Sequence, residues 1–372
     1  MKTLKKKIAF FGSSIVSAYW NGAATYYRGM IRALAELGYT TTFYEPLILD
    51  RQRHRDIADP GWCKVVIYES TLPALDKCLE EAASADIIVK ASGVGVFDDY
   101  LEKSVPSLKN ENNLIIFWDV DAPATLDRLH RNDTDPFHDQ IPKFDLVLTY
   151  GGGDPVTQAY HEQGASLCFP VYNALDTSTH FPVARKKAFS ADLAFLGNRL
   201  PDREKRVRDY FLDVAKRTPQ KTFLLGGSGW HDLNFPENVT YKGHVYTRDH
   251  NAFYCSPLAV LNISRDSMAT YGFSPATRVF EAAGAGACII TDQWPGIETF
   301  FEPEKEILVA DSGKEVEKIL LGLTKEKAKK IGEAAFEKVR KIHTYSHRAK
   351  FLHQLFIEYG AKKEGQDILK IN

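Results

Sequence analysis

Residues 274–292, SPATRVFEAAGAGACIITD, decide how the chain is read. The stretch has the form of a helix followed by a short strand. Ser274 is placed to cap a helix, Pro275 suits a first helical position whose N–H needs no partner, and the small residues of TRVFEAAGAGA allow close packing on a sheet. CIIT is then a buried strand with Asp292 at its C-terminal end. On a helix, Ser274, Thr277 or Arg278, and Glu281 fall three or four residues apart and share one face. Two readings fit that polar stripe. One is a surface ion pair between Arg278 and Glu281, which stabilises little. The other is a ligand site, because α/β sheets bind ligands beyond the C-terminal ends of their strands.

The same strand-then-turn form recurs upstream in ADLAFLG (191–197), TFLLGGSGW (222–230), VTYKGHV (239–245) and LAVLNISRD (258–266), with a charged helix expected over about 203–216. If these strands are parallel, their ends bring Gly197, Asn198, Arg199, Gly227, Gly243, His244, Asn262 and Arg265 to one rim. Arg203 and the head of the Ser274 helix join them there. Each arginine alone reads as a surface residue. Together, arginines and a helix N-terminus suit a diphosphate, through bidentate hydrogen bonds and the helix dipole. Glu281, one turn further along, cannot hold phosphate but can accept hydrogen bonds from ribose hydroxyls. A phosphate site and a ribose site one helical turn apart describe a nucleotide.

The first half opens as βαβ, the unit of a parallel sheet: KIAFFG (7–12), a helix from about 22 to 37, then TTTFYEP (40–46). No GxGxxG follows the first strand, which weakens a dinucleotide reading, and Gly93 and Gly95 read as turn glycines. LIIFWDVD (114–121) ends in Asp119 and Asp121. Two carboxylates across one residue can grip a metal–diphosphate; equally, Asp121 can cap the helix that follows. FDLVLTYGGG (144–153) is a further strand running into a glycine loop. The aperiodic, Pro-, Asn- and Ser-containing stretch 169–183 marks the domain boundary. Tyr19, Trp20, Trp62 and Trp118 can stack on sugar rings or serve as core aromatics, and core is the favoured reading.

At 372 residues the chain exceeds one ordinary core, so two domains are expected. A net charge of -1 argues against general affinity for nucleic acid or anionic membrane. Lys2, Lys5, Lys6 and Lys7 are a short solvated run. No apolar stretch has the length of a membrane span and no signal peptide precedes IAFFG, so a cytoplasmic protein is expected. The cysteines (Cys63, Cys78, Cys168, Cys255, Cys288) have no zinc-finger spacing and read as reduced thiols packed as small apolar residues.

SPATRVFEAAGAGACIITD, with LNISR before it and GIETFFEPEKEILVA after it, resembles the C-terminal domain of CgeB-type (spore maturation protein-like) members of the group-1, GT4-like glycosyltransferases. HTYSHRAKF (343–351) resembles the tail of the same family, and DVDAPATL and FDLVLTYGGGDP its N-terminal domain. The resemblance implies an α/β GT-B fold, two Rossmann-like domains facing across a cleft: 1–172 on the acceptor side, 173–345 for the donor nucleotide sugar, and 346–372 a helical segment crossing back to the N-terminal domain. It implies transfer of a sugar from a nucleoside diphosphate sugar, a UDP-sugar foremost, to an unknown saccharide, protein or small-molecule acceptor. No metal or other cofactor is then required, because positive side chains and helix dipoles take the diphosphate. Asp119 and Asp121 become part of an Asp-x-Pro turn, with Asp121 the candidate base and Gly12 and Ser13 lining the acceptor side. The family's Glu-x7-Glu pair puts its second member at Glu281, on the ribose, but its first at Phe273, so the sugar is held differently. Two alternatives keep the fold: a nucleotide-sugar epimerase and a non-catalytic coat or assembly protein.

Overall fold

The computed structural model describes residues 6–19 and 21–363. The chain divides into two compact units, residues 1–172 with 345–372, and residues 173–344. The first unit alternates strand and helix: β1 (Lys7–Phe11), α1 (Ala24–Glu36), β2 (Thr40–Pro46), β3 (Cys63–Tyr68), α2 (Leu72–Ala82), β4 (Ile87–Ala91), α3 (Asp98–Ser107), β5 (Leu114–Asp119), α4 (Ala122–Arg131), β6 (Leu146–Thr149), α5 (Gly153–Glu162) and β7 (Cys168–Pro170). All its strand pairings are parallel, in the order β3-β2-β1-β4-β5-β6-β7. Strands β4 to β6 are buried along their whole length and mostly apolar, as befits central parallel strands, with Lys90, Asp119 and Thr149 the polar exceptions.

The second unit contains β8 (Leu193–Leu196), α6 (Pro201–Val207), α7 (Asp213–Arg217), β9 (Phe223–Gly226), β10 (Val239–Tyr241), α8 (Thr247–Cys255), β11 (Ala259–Asn262), α9 (Asp266–Tyr271), α10 (Thr277–Gly284), β12 (Ile289–Asp292), β13 (Leu308–Ala310), α11 (Gly313–Gly322) and α12 (Lys325–Ile342). A π-helical turn over Arg208–Leu212 joins α6 to α7, so the expected charged helix is present but interrupted. The sheet is again all parallel, β10-β9-β8-β11-β12-β13. Its core is built from Leu193, Phe195, Phe211, Phe223, Leu261 and Ile290 with their neighbours.

The last helix, α13 (Tyr345–Lys363), belongs to the first unit. Gly29 on α1 admits it: a Cβ there would stand 2.1 Å from the Tyr345 ring. Tyr39 and His353 add a hydrogen bond at 2.8 Å.

Several local expectations change in three dimensions. Ser274 and Pro275 do not open the helix; Ala276 is its N-cap and the Ser274 hydroxyl donates to the Gly272 carbonyl at 2.8 Å. The cause is the preceding turn, in which Gly272 and Phe273 both have positive φ and hold the chain extended until Thr277. Asp121 does occupy the N-cap of α4, but its side chain makes no capping bond; its carbonyl accepts from Ala124 and Thr125. Trp118 is core, with its indole N–H donating to Tyr26 Oη at 3.0 Å. Tyr19 is not core: it is 40% exposed and stacks on His54. Trp62 is only half-buried, beneath Arg32. Trp20, Lys2 and Lys5 lie outside the described residues. All five cysteines are free thiols, and burial raises the pKa of each.

Candidate functional site

Strand order reverses between β8 and β11 in the second unit, and the crevice beyond their C-terminal ends is where such sheets hold ligands. Three turns interlock there. Gly197 N donates to the Gly226 carbonyl, Gly227 N to the Gly243 carbonyl, and Ser228 N to Asn198 Oδ1, at 2.9, 2.7 and 2.9 Å. The Trp230 indole donates to the Gly197 carbonyl at 2.8 Å. Gly227 is required on two counts: its φ is +122°, and a Cβ would stand 2.1 Å from Gly197 O. Gly197, Asn198, Gly227 and Gly243 thus form one bonded rim, with Asn262 at the end of the neighbouring β11 and the exposed His244 set edge-on to Tyr246.

Two arginines converge on that edge. The guanidiniums of Arg203, from α6, and Arg278, from α10, both lie against the face of Phe195, 5.6 and 5.4 Å from its ring centre. A Cβ on Gly197 would meet one nitrogen of each, at 2.9 and 3.0 Å. Arg278 donates to Asn262 Oδ1 at 3.1 Å and to the Ile263 carbonyl. Arg203 donates to the Asn198 carbonyl, while its Nε is buried with no partner. Neither forms an ion pair among the described residues. Burial, and then the Arg278 charge, push the Arg203 pKa down to about 9; burial also lowers that of Arg278. A guanidinium still keeps its proton at neutral pH. Two desolvated cations with no carboxylate on either call for an anion.

The other predicted cations are differently placed. Arg199 is held between Glu204 at 2.6 Å and Asp232 at 2.7 Å, and the hydrogen bonds to those carboxylates raise its pKa. Arg265 pairs with Asp202 at 2.6 Å. Arg206, which no sequence signal singles out, reaches the fully buried Asp292 at 2.7 Å. Arg278 and Glu281 form no ion pair with each other among the described residues; their hydrogen bonds run to different elements. Glu281 accepts from Tyr254 Oη at 3.3 Å and lies 3.9 Å from His180 Nε2. The Thr277 hydroxyl donates to Asn173 Oδ1 at 2.9 Å, fixing the head of α10 to the chain entering the unit. Tyr254, His180 and His250 were invisible as site residues because they come from α8 and an aperiodic segment, with no motif around them.

In the first unit, order reverses between β1 and β4. Gly12 follows β1 where a Cβ would stand 2.5 Å from the Phe43 ring. Ser13 is buried, its hydroxyl bonded to Asn21 Oδ1 at 2.9 Å and its carbonyl to Arg51 at 2.8 Å. Asp119 is fully buried and accepts from the Ser92 hydroxyl at 2.6 Å, from the Asp121 N–H at 2.9 Å and from the Tyr160 hydroxyl. Burial raises its pKa. Its oxygens serve the turn that carries Asp121, which is half-buried at the head of α4.

Residues 203–354 match a family model described as glycosyl transferase-like. No curated protein matches the chain by sequence. Solved structures match over nearly the whole length. Sucrose-phosphate synthase from Thermosynechococcus elongatus is 15% identical with a TM-score of 0.68, covering 96% of this chain and 100% of its own. An alpha-glucosyltransferase in complex with UDP-glucose and DNA containing an abasic site is 13% identical with a TM-score of 0.71, covering 95% and 99%. Anabaena HepE in complex with UDP and glucose is 13% identical with a TM-score of 0.64, covering 95% and 100%. The two parallel-sheet, Rossmann-like domains are those of GT-B glycosyltransferase structures.

Proposed function

We propose that the protein transfers a sugar from a nucleoside diphosphate sugar, a UDP-sugar, to an acceptor whose identity is open, as a CgeB-type glycosyltransferase. The observation that carries this reading is the pair of buried Arg203 and half-buried Arg278 at the β8/β11 reversal, with no ion-paired carboxylate on either among the described residues. Breaking a sugar–phosphate bond builds negative charge on the diphosphate, and fixed cations in a desolvated site stabilise that charge without reorganising. Arg203, Arg278 and the N-terminus of α10 take the diphosphate in this reading, so no metal is needed for that task. Gly197 and Gly227 let the ligand approach the backbone. Glu281, one turn along α10, accepts from the ribose, oriented by Tyr254. Phe273, with positive φ and its ring against Gly296, leaves no carboxylate for the sugar where the group-1 pattern has one. In the first unit, Asp121 is the proposed base for an inverting transfer, and Gly12 and Ser13 the proposed acceptor-side lining.

The test is calorimetric titration of the protein with UDP and a set of UDP-sugars, followed by incubation of any binding sugar nucleotide with and without acceptor pools. Binding of UDP together with acceptor-dependent release of UDP is expected. Conversion of the donor alone would mark an epimerase, and no nucleotide binding would overturn both enzymatic readings.

A further inference from the structure

His180, His250 and Glu281 come together in the second unit from three separate places: the segment before β8, α8 and α10. One ligand atom from each lies within 4.8 Å of the other two. His180 is 4% exposed, and its Nε2 is buried with no hydrogen-bond partner. His250 Nδ1 is likewise buried and unpartnered. The opposite ring nitrogens are both engaged: His180 Nδ1 with Thr179 Oγ1 at 3.0 Å, and His250 Nε2 with the Val245 carbonyl at 3.2 Å.

Those outer contacts hold both rings in place. A backbone carbonyl can only accept, so His250 carries its proton on Nε2 and turns the Nδ1 lone pair inward. The Thr179 hydroxyl, 3.0 Å from His180 Nδ1, holds the other ring with its Nε2 facing inward. Tyr254 donates to Glu281 Oε2 and orients the carboxylate. Two imidazoles with outer nitrogens held by oxygen, facing one oriented carboxylate, form a donor set with its outer shell already in place. Two buried inner nitrogens have no partner beside that carboxylate, and one cation satisfies all three groups.

We infer that His180, His250 and Glu281 form a binding site for a divalent transition cation of the Zn2+ type. Two imidazoles and a carboxylate suit Zn2+ and leave its fourth position open. Tetrahedral bonds of about 2.0–2.1 Å set neighbouring ligand atoms about 3.4 Å apart. His180 Nε2 and Glu281 Oε2, at 3.9 Å, are close to that separation. The site rests on this geometry and not on the nucleotide reading, but it shares Glu281 with that reading, so a cation and a ribose would compete for the one carboxylate.

The test uses the full-length protein stripped with chelator and titrated with Zn2+ against a chromophoric chelator, and with Co2+ in the visible. One equivalent of Zn2+ and a tetrahedral Co2+ spectrum without thiolate charge-transfer bands are expected. His180→Gln and His250→Gln each weaken uptake by more than about 100-fold, and Thr179→Val by about 10- to 100-fold, the range for loss of an outer-shell partner. Near-ultraviolet circular dichroism reports folding; should a histidine variant unfold, the folded Thr179→Val protein decides. Absence of stoichiometric uptake, thiolate bands on Co2+, or Zn2+ affinity unchanged in folded Thr179→Val or histidine variants would overturn the site. UDP titration of the metal-free protein separates the two readings: Zn2+ uptake by a protein that binds no UDP when metal-free supports the cation site and sinks only the nucleotide site.

Discussion

The two units reverse strand order in the same way, yet their reversal points are chemically opposite. Around β1 and β4 of the first unit, buried charges are answered within the unit. Glu45 accepts from Ile15 N at 2.7 Å, Ser14 Oγ at 3.0 Å and Gln52 Nε2 at 2.5 Å. Lys90, fully buried, sits 2.9 Å from Asp98 and 3.3 Å from Glu102, and Arg28 reaches Asp56 at 2.7 Å. Around β8 and β11 of the second unit, Arg203 and Arg278 have only neutral oxygens. One topology thus frames an edge where Lys90 and Arg28 sit on carboxylates and an edge where two arginines do not. Fold sets where a ligand can bind; the pairing of side chains sets whether an anion is wanted there.

The comparison breaks most sharply at Lys90. Lys90→Ala takes from Asp98 its cation and from Glu102 one of two, since Arg128 stays on Glu102 at 3.0 Å, and at the low end of the cost of breaking a buried pair this amounts to about 3 kcal/mol. Denaturant unfolding should show that loss in the transition of the first unit, with UDP affinity unchanged. The matching substitutions in the second unit should do the reverse. Arg203→Met and Arg278→Met each weaken UDP binding by about 1.5 to 3 kcal/mol, the range for a hydrogen bond to a charged group. The melting temperature should hold or rise, because the lost cation had no carboxylate to leave behind. A lower melting temperature with full UDP affinity would erase the distinction between the two edges.

Two smaller effects sharpen it. Gly227→Ala forces a Cβ onto the Gly197 carbonyl at a positive φ, and about 1 to 3 kcal/mol of stability should be lost from the second unit, read in its unfolding transition. Among the cations, Arg265→Ala should weaken UDP by about 1 kcal/mol, since its ion pair with Asp202 already occupies it in part. Arg199→Ala should leave UDP affinity unmoved in calorimetry, because Glu204 and Asp232 hold that guanidinium. Equal losses at Arg199 and Arg203 would show that ion pairing does not sort the arginines of this rim.

Much of the architecture was legible because strand runs, glycine turns and helix periodicity are local. KIAFFG, TTTFYEP, LIIFWD and LAVLN are strands where the pattern put them. The short strands β3 and β7 were missed, since CKVVIY alternates weakly and CFP merges into an aperiodic run. The head of α10 moved from Ser274 to Ala276 because Phe273 takes a left-handed conformation, which the letters do not announce. The stripe on α10 is not a surface ion pair: Arg278 bonds to Asn262 of β11 and Glu281 to Tyr254 of α8.

By itself the sequence determined the two parallel sheets, the rim of turns after β8 to β11, and the presence of arginines and a glutamate on that rim, for these follow from patterns within a few residues. Tertiary structure alone decided which arginines are neutralised, that Asp119 is spent on Ser92 and Tyr160, and that His180 and His250 meet Glu281. Those outcomes depend on which distant side chains share a low-dielectric space, where an ion pair, an unpaired cation or an inward lone pair differ by several kcal/mol.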